Sequence, residues 1–214
     1  MFISNEVKSN EAIVIKVESE KKTLYLLFKR LMDISIAFIG FLFAFFLLII
    51  FGTLIKLESE GPFIYSQIRV GKNGRQFKIY KLRSMYIDAE KNGPQWAQKH
   101  DARVTKIGRC IRKTRIDEIP QFINIIKGDM SIVGPRPERS CFIDEFCKEI
   151  PEYNYRLAVK PGLTGWAQVN GGYELTPQEK LKKDLYYINN QSIWLDIKII
   201  LKTVKIILSG YGAR

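Results

Sequence analysis

Cysteine and histidine are scarce in this 214-residue chain, which contains three cysteines and one histidine. The cysteines, Cys110, Cys141 and Cys147, are odd in number and show no CxxC spacing, so neither a disulfide framework nor a structural zinc site is expected. Because His100 is the single histidine, histidine-rich metal sites and Cys–His catalysis are not expected either. This cysteine usage favours a cytosolic position for the polar part of the chain.

Acidic residues are also few, with 22 Asp and Glu against 34 Lys and Arg, which gives a net charge of +12. Such an excess predicts an anionic partner: nucleic acid, a phosphorylated small molecule or the face of an anionic membrane. Residues 61–137 hold sixteen basic and six acidic residues. Nucleic-acid binding would also require a recognisable module or interleaved aromatic residues, whereas these basic residues surround a short acidic pair.

One uncharged run of 22 residues, from Ile34 to Ile55, dominates the N-terminal part of the chain. A helix of this length reaches about 33 Å, which is enough to cross a hydrocarbon core. A cleavable signal peptide is disfavoured, because the first thirty residues are polar and of mixed charge. The sequence therefore predicts a polar segment over residues 1–30, a membrane-inserted helix over 31–57 and a cytosolic catalytic domain over 58–214.

The charges around this helix do not fix its orientation. Basic residues flank both ends: Lys21, Lys22, Lys29 and Arg30 before the run, and Lys56, Arg69, Lys72 and Arg75 after it. The positive-inside bias therefore favours neither end as the outer one. A re-entrant helix would keep both ends on the cytoplasmic side, but Gly40 and Gly52 are the only candidate breaks. A spanning and a re-entrant helix both remain open.

The rest of the chain predicts an α+β domain that is rich in helix. Alternating residues on either side of Asn73-Gly74 predict two antiparallel strands joined by a type I′ turn. Helices are predicted from Thr105 to Thr114, from Asp117 onwards, within 138–159, and in two stretches at the end of the chain. The last helix, capped by Ser192, carries Lys198, Lys202 and Lys205 on one face. It is predicted either to lie among lipid headgroups or to pack on the domain core.

The acidic pair Asp117-Glu118 is the leading candidate for chemistry. If Asp117 caps a helix, Pro120 falls in its first turn, and Ile119, Ile123 and Ile126 form its inward stripe. A carboxylate at a helix N-terminus beside basic residues should have a depressed pKa and remain ionised. Such a group can attack phosphorus, and the adjacent glutamate could hold Mg²⁺. A capping aspartate followed by an ordinary first-turn glutamate is the alternative.

Two further segments have an unusual composition. Gly134-Pro135-Arg136-Pro137 fixes the backbone around one guanidinium, which predicts a clamp for phosphate oxygens, with a rigid surface turn as the alternative. The segment 160–166 combines tight turns with Trp166, and it could cradle a nucleotide or lie at a membrane interface. The sequence does not decide between these two roles.

Several motifs in order resemble those of the bacterial sugar transferase family, the monotopic phosphoglycosyl transferases. They are Lys29-Arg30-x-x-Asp33, Gln67-x-Arg69-x-Gly71, Phe77 through Met85, Asp117-Glu118 with Gln121, Lys127 through Ser131, Val133 through Pro137, Pro161-Gly162 through Val169, and Asp184 through Tyr187. The resemblance extends from about Phe28 to Ile207. Any one motif would be weak, but eight in the same order are specific.

The resemblance implies transfer of a sugar phosphate from a UDP-sugar to polyprenyl phosphate, with release of UMP, as a first membrane step of polysaccharide assembly. It implies that Asp117 is the nucleophile and that Glu118 is associated with Mg²⁺. It also implies a phosphate site formed by Lys81, Arg83, Arg112 and Arg136. The expected partners are then UDP-sugar, polyprenyl phosphate and membrane lipids, and no nucleic acid is expected. The expected location of the catalytic domain is the cytoplasmic face of the inner membrane.

One position departs from the family pattern. The family's re-entrant helix commonly breaks at a Ser-Pro pair, whose place here is taken by Phe45-Phe46. This substitution affects the topology but not the chemistry, because the catalytic candidates lie downstream.

Two alternatives to an enzyme remain, namely a membrane-anchored binder of anionic lipid or nucleic acid and a non-catalytic partner in an assembly complex. The sequence identifies neither the sugar nor whether the chain forms a homo-oligomer.

Overall fold

The computed structural model describes residues 22–91, Gly93 and residues 101–209. Residues 1–21 of the polar segment expected over residues 1–30 lie outside this part of the chain, and so does His100. The described chain is mostly helical with two small sheets, which agrees with the expected α+β class. The helices are α1 (Lys22–Glu58), α2 (Lys106–Lys113), α3 (Gln121–Lys127), α4 (Ser140–Glu149), α5 (Trp166–Val169), α6 (Pro177–Asn189) and α7 (Ile193–Ser209). The strands are β1 (Ile64–Val70), β2 (Gln76–Leu82), β3 (Ser131–Val133) and β4 (Gly162–Thr164).

Helix α1 is long and apolar enough to cross a bilayer, and it already includes residues 22–30, which the sequence analysis assigned to a polar segment. Only 11% of its most apolar 18-residue window is buried within the protein, so α1 is not an ordinary core helix. One narrow stripe of α1 nevertheless packs on the domain, through Ala37, Ala44 and Ile55. The opposite face exposes large apolar side chains such as Phe43 and Phe46. This face is consistent with membrane association.

Polar residues near the start of α1 dock it on the domain. Lys29 Nζ lies 3.0 Å from Asp196 Oδ2 of α7, and both side chains are buried. Arg30 donates hydrogen bonds of 2.6 and 2.8 Å to the carbonyl oxygens of Ile125 and Ile126, near the end of α3. Buried carboxylates without partners are costly. Asp33 accordingly accepts from the Ser131 hydroxyl and the Ile132 amide at the start of β3. The Lys-Arg-x-x-Asp motif therefore holds α1 against the domain.

The other end of α1 is also docked on the domain. The carboxylate of Glu58, its last residue, accepts from the backbone amides of Lys106 and Ile107 in the first turn of α2. Acidic groups are favourable at this position, because the helix N-terminus carries unpaired N–H groups and partial positive charge. The guanidinium of Arg83 donates to the carbonyl oxygens of Ser59 and Glu60, which follow α1. Both ends of α1 therefore contact the same domain.

The predicted hairpin is confirmed. β1 and β2 pair antiparallel, with Ile64 opposite Leu82 and Val70 opposite Gln76. The connection contains Asn73 at φ 54° and Gly74 at φ 78°, the two positive φ values that a type I′ turn requires. The helix predicted from Thr105 is also confirmed, since the Thr105 hydroxyl accepts from the Gly108 amide at 2.9 Å and caps α2. Both features depend on local chemistry.

The prediction that a helix begins at Asp117 is wrong. Residues Ile116–Glu118 form a 3₁₀ turn, and α3 begins only at Gln121, after Pro120. The inward-facing isoleucine of α3 is the fully buried Ile125, whereas the expected Ile126 is 40% exposed. The missing N–H of Pro120 fits the start of a helix, so the proline marks α3 rather than a helix begun three residues earlier.

The remaining segments form the core and support the second sheet. The short helices predicted within 138–159 are α4 and the 3₁₀ helix Pro151–Ala158. β3 and β4 pair in parallel, with Ser131 opposite Gly162 and Val133 opposite Thr164. The sheet, α3, α6 and α7 enclose the main apolar cluster, whose buried members are Ala37, Ile79, Ile125, Met130, Ile132, Val133, Tyr187, Ile188 and Ile199.

Helix α7 packs on the domain core, which is one of the two alternatives that the sequence left open. The predicted cap is confirmed by the hydrogen bond from the Leu195 amide to the Ser192 hydroxyl. One face is buried in the core through Ile199. The opposite face exposes an apolar strip, called the α7 strip below, made of Trp194, Ile197, Leu201, Val204 and Leu208. Lys198 and Lys202 lie beside this strip with their ammonium groups 5.7 and 4.8 Å from the centre of the Trp166 ring.

Candidate active site

A large cavity of about 970 Å³ lies between the hairpin, the 3₁₀ turn at Asp117, the loop after β3 and helix α7. Part of its wall is a polar cluster connected by hydrogen bonds and ion pairs and formed by Gln67, Arg69, Glu90 and Arg139. Another part is apolar and includes Ile36 of α1 with Ile200, Val204 and Ile207 of α7. Asp117 and Glu118 also line this cavity. Charged and apolar ligand groups could therefore be bound side by side.

A strained backbone presents the acidic pair to the cavity. Helix α2 ends at Lys113, and Arg115 then adopts a left-handed conformation with φ 59° and ψ 14°. Glycine usually takes this position after a helix, because an L side chain is unfavourable there. The turn redirects the chain into the 3₁₀ turn that carries Asp117 and Glu118, which are only 6% and 7% exposed. Left-handed residues other than glycine often occur at functional sites.

The two carboxylates of the pair have different surroundings. Oε1 of Glu118 accepts from Lys81 Nζ at 3.0 Å and from Arg136 at 2.6 Å. Lys81 comes from the end of β2, and Arg136 comes from the Pro-Arg-Pro loop after β3. By contrast, no side chain within the described ranges makes a hydrogen bond or a direct ion pair with Asp117. The Asp117 carboxylate is therefore the one whose oxygens can approach a ligand atom.

The pKa values of Asp117 and Glu118 differ accordingly, and the pKa of Asp117 contradicts one prediction. Burial raises the pKa of Asp117 to about 6, with Lys81 opposing this shift and the charge of Glu118 adding to it. The depressed pKa expected for a capping Asp117 is therefore wrong. Burial also acts to raise the pKa of Glu118, but Arg136 and Lys81 outweigh it and hold that pKa well below its usual range. At neutral pH, Glu118 is ionised and most of Asp117 is ionised.

The predicted phosphate-binding residues divide into two groups. Lys81, Arg112 and Arg136 all line the cavity, and each of them lowers the pKa of Asp117. The Arg112 guanidinium is oriented by a hydrogen bond of 2.8 Å from its Nε to the Ser84 hydroxyl. Arg83 also lines the cavity, but its terminal nitrogens donate to the carbonyl oxygens of the residues after α1. Its position fits the docking of α1 better than phosphate binding.

A buried ion network, formed by Arg156, Asp184, Glu138 and Lys180, contacts the backbone of Arg136. Arg156 and Asp184 are 2% and 1% exposed, and two nitrogens of Arg156 donate to Asp184 Oδ2 at 3.0 and 2.7 Å. Arg156 also donates to the backbone carbonyl of Arg136 at 3.0 Å. Glu138, close by, pairs with Lys180 of α6 at 2.9 Å. The sequence analysis assigned Arg156 no role, and no local pattern marks a buried arginine.

The donor set can be compared with the needs of Mg²⁺. The described residues contain no group of three or more side chains that could hold a metal ion. Mg²⁺ is usually bound by one or two carboxylates together with substrate phosphates and water, so a single glutamate with a diphosphate ligand would suffice. Oε1 of Glu118 already accepts from two cations, which leaves Oε2 as the oxygen for a metal. The residues present fit a metal ion that arrives with a diphosphate.

Comparison with known proteins identifies the family of this chain. The family model described as bacterial sugar transferase matches residues 24–210. A UDP-N-acetylgalactosamine-undecaprenyl-phosphate N-acetylgalactosaminephosphotransferase of Aeromonas hydrophila is 51% identical over 89% of this chain and 46% of its own length. A galactosyl transferase of Streptococcus agalactiae is 45% identical over 90% of this chain and 45% of its own length.

A third relative, a UDP-glucose:undecaprenyl-phosphate glucose-1-phosphate transferase of Caulobacter vibrioides, is 42% identical over 86% of this chain and 71% of its own length. The chain thus spans less than half the length of the Aeromonas and Streptococcus relatives. The match to the family model nevertheless covers nearly all of the described residues. The chain belongs to the bacterial sugar transferase family.

Proposed function

We propose that this protein transfers a sugar 1-phosphate from a UDP-sugar to polyprenyl phosphate and releases UMP. The observation that carries this proposal is the asymmetric acidic pair, with Asp117 unpaired in a cavity whose cations engage Glu118. The names of the relatives support the substrate classes, since they combine undecaprenyl phosphate with UDP-N-acetylgalactosamine or UDP-glucose. A non-catalytic binder of anionic lipid or nucleic acid would not need such a site.

The proposed reaction has two steps at one carboxylate. In the first, an oxygen of Asp117 attacks the sugar-linked phosphorus of the UDP-sugar, and the bond to the bridging oxygen breaks, so UMP leaves with that electron pair. In the second, an oxygen of polyprenyl phosphate attacks the same phosphorus, and the Asp117 carboxylate leaves. The product is a polyprenyl diphosphate sugar, and no net proton transfer to the protein is required. Ping-pong kinetics follow from this order.

The cations around Asp117 make this exchange feasible. The diphosphate and the acceptor phosphate are both anionic, so they repel the carboxylate and each other unless positive groups intervene. Lys81, Arg112 and Arg136 supply this charge, and a planar guanidinium can bind two phosphate oxygens together. We propose that Glu118 holds Mg²⁺ jointly with the diphosphate, where the ion would neutralise charge on the phosphate oxygens. Lys81 and Arg136 would then turn from Glu118 toward phosphate.

The two kinds of cavity wall match the two substrates. The polar cluster around Arg69 and Arg139 suits the nucleotide, which carries hydroxyl, amide and phosphate groups. The apolar wall between Ile36 of α1 and Val204 of α7 suits the first isoprene units of the acceptor, because these units gain free energy on leaving water. Both helices carry exposed apolar faces, so an acceptor could enter this wall directly from lipid.

The docking of α1 supports one membrane arrangement. Lys29 near its start and Glu58 at its end both contact the same domain, so α1 lies along the domain and does not project away from it. We propose that both ends of α1 lie on the cytoplasmic side of the inner membrane, with the Phe43 and Phe46 face in lipid. A tag at the N-terminus should then resist protease added outside intact spheroplasts, and digestion of that tag would contradict this arrangement.

The transferase proposal is tested with purified full-length protein, undecaprenyl phosphate, Mg²⁺ and a panel of UDP-sugars that includes UDP-N-acetylgalactosamine and UDP-glucose. We expect release of UMP with at least one donor, and a mass increase of one phosphosugar on the peptide that contains Asp117 when the acceptor is omitted. Asp117→Asn should abolish both signals, whereas Asp144→Asn, an exposed acid on α4, should retain them. Turnover by Asp117→Asn, or an unmodified peptide from an active enzyme, would refute the mechanism.

A further inference from the structure

Gln121 is a buried polar side chain of the cavity that the two proposed steps do not use. It is the first residue of α3, it is 1% exposed, and it lines the same cavity as Asp117. Its side-chain nitrogen Nε2 is buried and has no hydrogen-bond partner within the described part of the protein. A buried amide donor without an acceptor is destabilising, and buried polar groups in native proteins are nearly always paired.

Asn124, one turn later on the same helix, shows what a purely structural amide looks like here. Its Nδ2 donates to the carbonyl oxygen of Lys78 at 2.7 Å, and its Oδ1 accepts from the amide of Tyr80 at 3.1 Å. These bonds tie α3 to strand β2, and they use both ends of the amide. Gln121 has the same chemistry and greater reach, but its donor has no such partner. Gln121 therefore differs from Asn124 in two respects: it lines the cavity, and its amide nitrogen has no hydrogen-bond partner within the described residues.

The position of Gln121 indicates which ligand atom could accept this hydrogen bond. Gln121 follows Asp117 by four residues, with the 3₁₀ turn and Pro120 between them fixing the chain. The ligand group nearest to Asp117 in either proposed step is the phosphoryl group, which offers non-bridging oxygens that accept strongly from N–H donors. Lys81, Arg112 and Arg136 are charged hydrogen-bond donors, whereas the amide of Gln121 is a neutral donor.

We propose that Gln121 Nε2 donates a hydrogen bond to a non-bridging oxygen of the phosphoryl group that moves between the UDP-sugar, Asp117 and polyprenyl phosphate. This inference rests on the proposed function and adds a substrate-contacting residue to it. A donor placed where charge redistributes in the transition state accelerates the chemical step more than it tightens substrate binding. The unpaired donor of the substrate-free protein is thus satisfied when the phosphoryl group is bound.

The test compares full-length wild type with Gln121→Leu, which keeps the approximate size of the side chain but removes the donor. We expect kcat for UMP release to fall about 100-fold, in line with loss of one transition-state donor, while KM for the UDP-sugar changes less than about threefold. The single-turnover formation of the Asp117 adduct should slow by the same factor. The thermal unfolding midpoint should stay the same or rise, because leucine removes an unpaired buried amide.

Gln178→Leu is the matched control, since Gln178 is exposed on α6 and lies outside the cavity lining. A kcat of Gln121→Leu within twofold of wild type would overturn the inference, as would a loss of activity accompanied by a proportionate fall in the unfolding midpoint. If Gln121→Leu does not fold, Gln121→Asn decides by the same criteria, because it keeps the amide but withdraws it by one methylene. A wild-type protein that releases no UMP with any donor would refute the transferase proposal itself, together with this inference.

Discussion

Breaking the buried ion pair between Arg156 and Asp184 should destabilise the protein and weaken the proposed phosphate site. In Asp184→Asn, the amide oxygen can still accept hydrogen bonds from Arg156, but the neutral side chain no longer balances the charge of Arg156. Arg156 would then keep a buried guanidinium with Glu138, 3.9 Å away, as its nearest remaining anion. Because Arg156 also donates to the carbonyl oxygen of Arg136, we expect the effect to reach the phosphate site.

The magnitude follows from the burial of the pair. Removing one partner of a buried ion pair costs about 3–5 kcal/mol, because the other charge remains desolvated. Glu138 compensates in part, so we expect about 3 kcal/mol for Asp184→Asn, the lower end of this range. For a domain of this size, each 1 kcal/mol shifts the unfolding midpoint by about 2–4 °C, which predicts a fall of about 6–12 °C. An exposed substitution such as Asp144→Asn should change the stability by less than about 0.5 kcal/mol.

The assay is thermal unfolding of the purified protein in detergent, with UMP release measured on the same samples. The double variant Arg156→Met, Asp184→Leu removes both charges, and it should be more stable than Asp184→Asn alone because no unpaired charge remains. It should still turn over slowly, since the carbonyl oxygen of Arg136 has lost its donor. A fall in midpoint of less than about 3 °C for Asp184→Asn, or a double variant less stable than this single variant, would refute the reasoning.

Three other predictions concern packing, the membrane and the metal. Gly108→Ala should lower the free energy of unfolding by about 1–3 kcal/mol, because the new methyl group would meet the backbone carbonyl of Ser84, which cannot move easily. In the control Gly40→Ala, the methyl group meets the ring of Phe122, which can rotate. Thermal unfolding should therefore show a clearly smaller loss of stability for Gly40→Ala. Trp194 in the α7 strip is 81% exposed, so brominated lipids in proteoliposomes should quench wild-type fluorescence more than that of Trp194→Phe, and equal quenching would place the strip outside the bilayer. EDTA should abolish UMP release and added Mg²⁺ should restore it, while full activity in EDTA would exclude the proposed metal at Glu118.

Sequence reasoning succeeded where structure is set by neighbours in the chain. The hairpin depends on Asn73-Gly74, two residues that tolerate positive φ, and α2 depends on the single cap Thr105. The length of the apolar run likewise identified a helix suited to a membrane. Each of these signals is contained within a few residues, so it does not depend on how distant segments pack.

Sequence reasoning failed where distant segments decide the outcome. The prediction of a depressed pKa at Asp117 assumed that the basic residues nearest in sequence would dominate. In the folded chain, Lys81 and Arg136 come from 37 and 18 residues away, and they pair with Glu118. Desolvation then raises the pKa of Asp117, an effect that depends on burial and cannot be read from spacing. The backbone at Arg115 is left-handed, and α3 begins only after the 3₁₀ turn that follows. Because this residue is neither glycine nor asparagine, the sequence did not predict that conformation.

Two adjacent carboxylates in one buried site would repel each other and compete for the same cations if their surroundings were equal. Here Glu118 engages both Lys81 and Arg136, so Asp117, the proposed nucleophile, has no side-chain partner among the described residues to displace before it attacks. A pKa of about 6 keeps Asp117 largely ionised at neutral pH, while its burial removes the water that would otherwise stabilise the charge. The same asymmetry suits a two-step transfer. In the proposed transfer, Asp117 would retain the phosphosugar while UMP leaves and the acceptor enters, so the cations would have to serve successive phosphates without being bound to Asp117 itself.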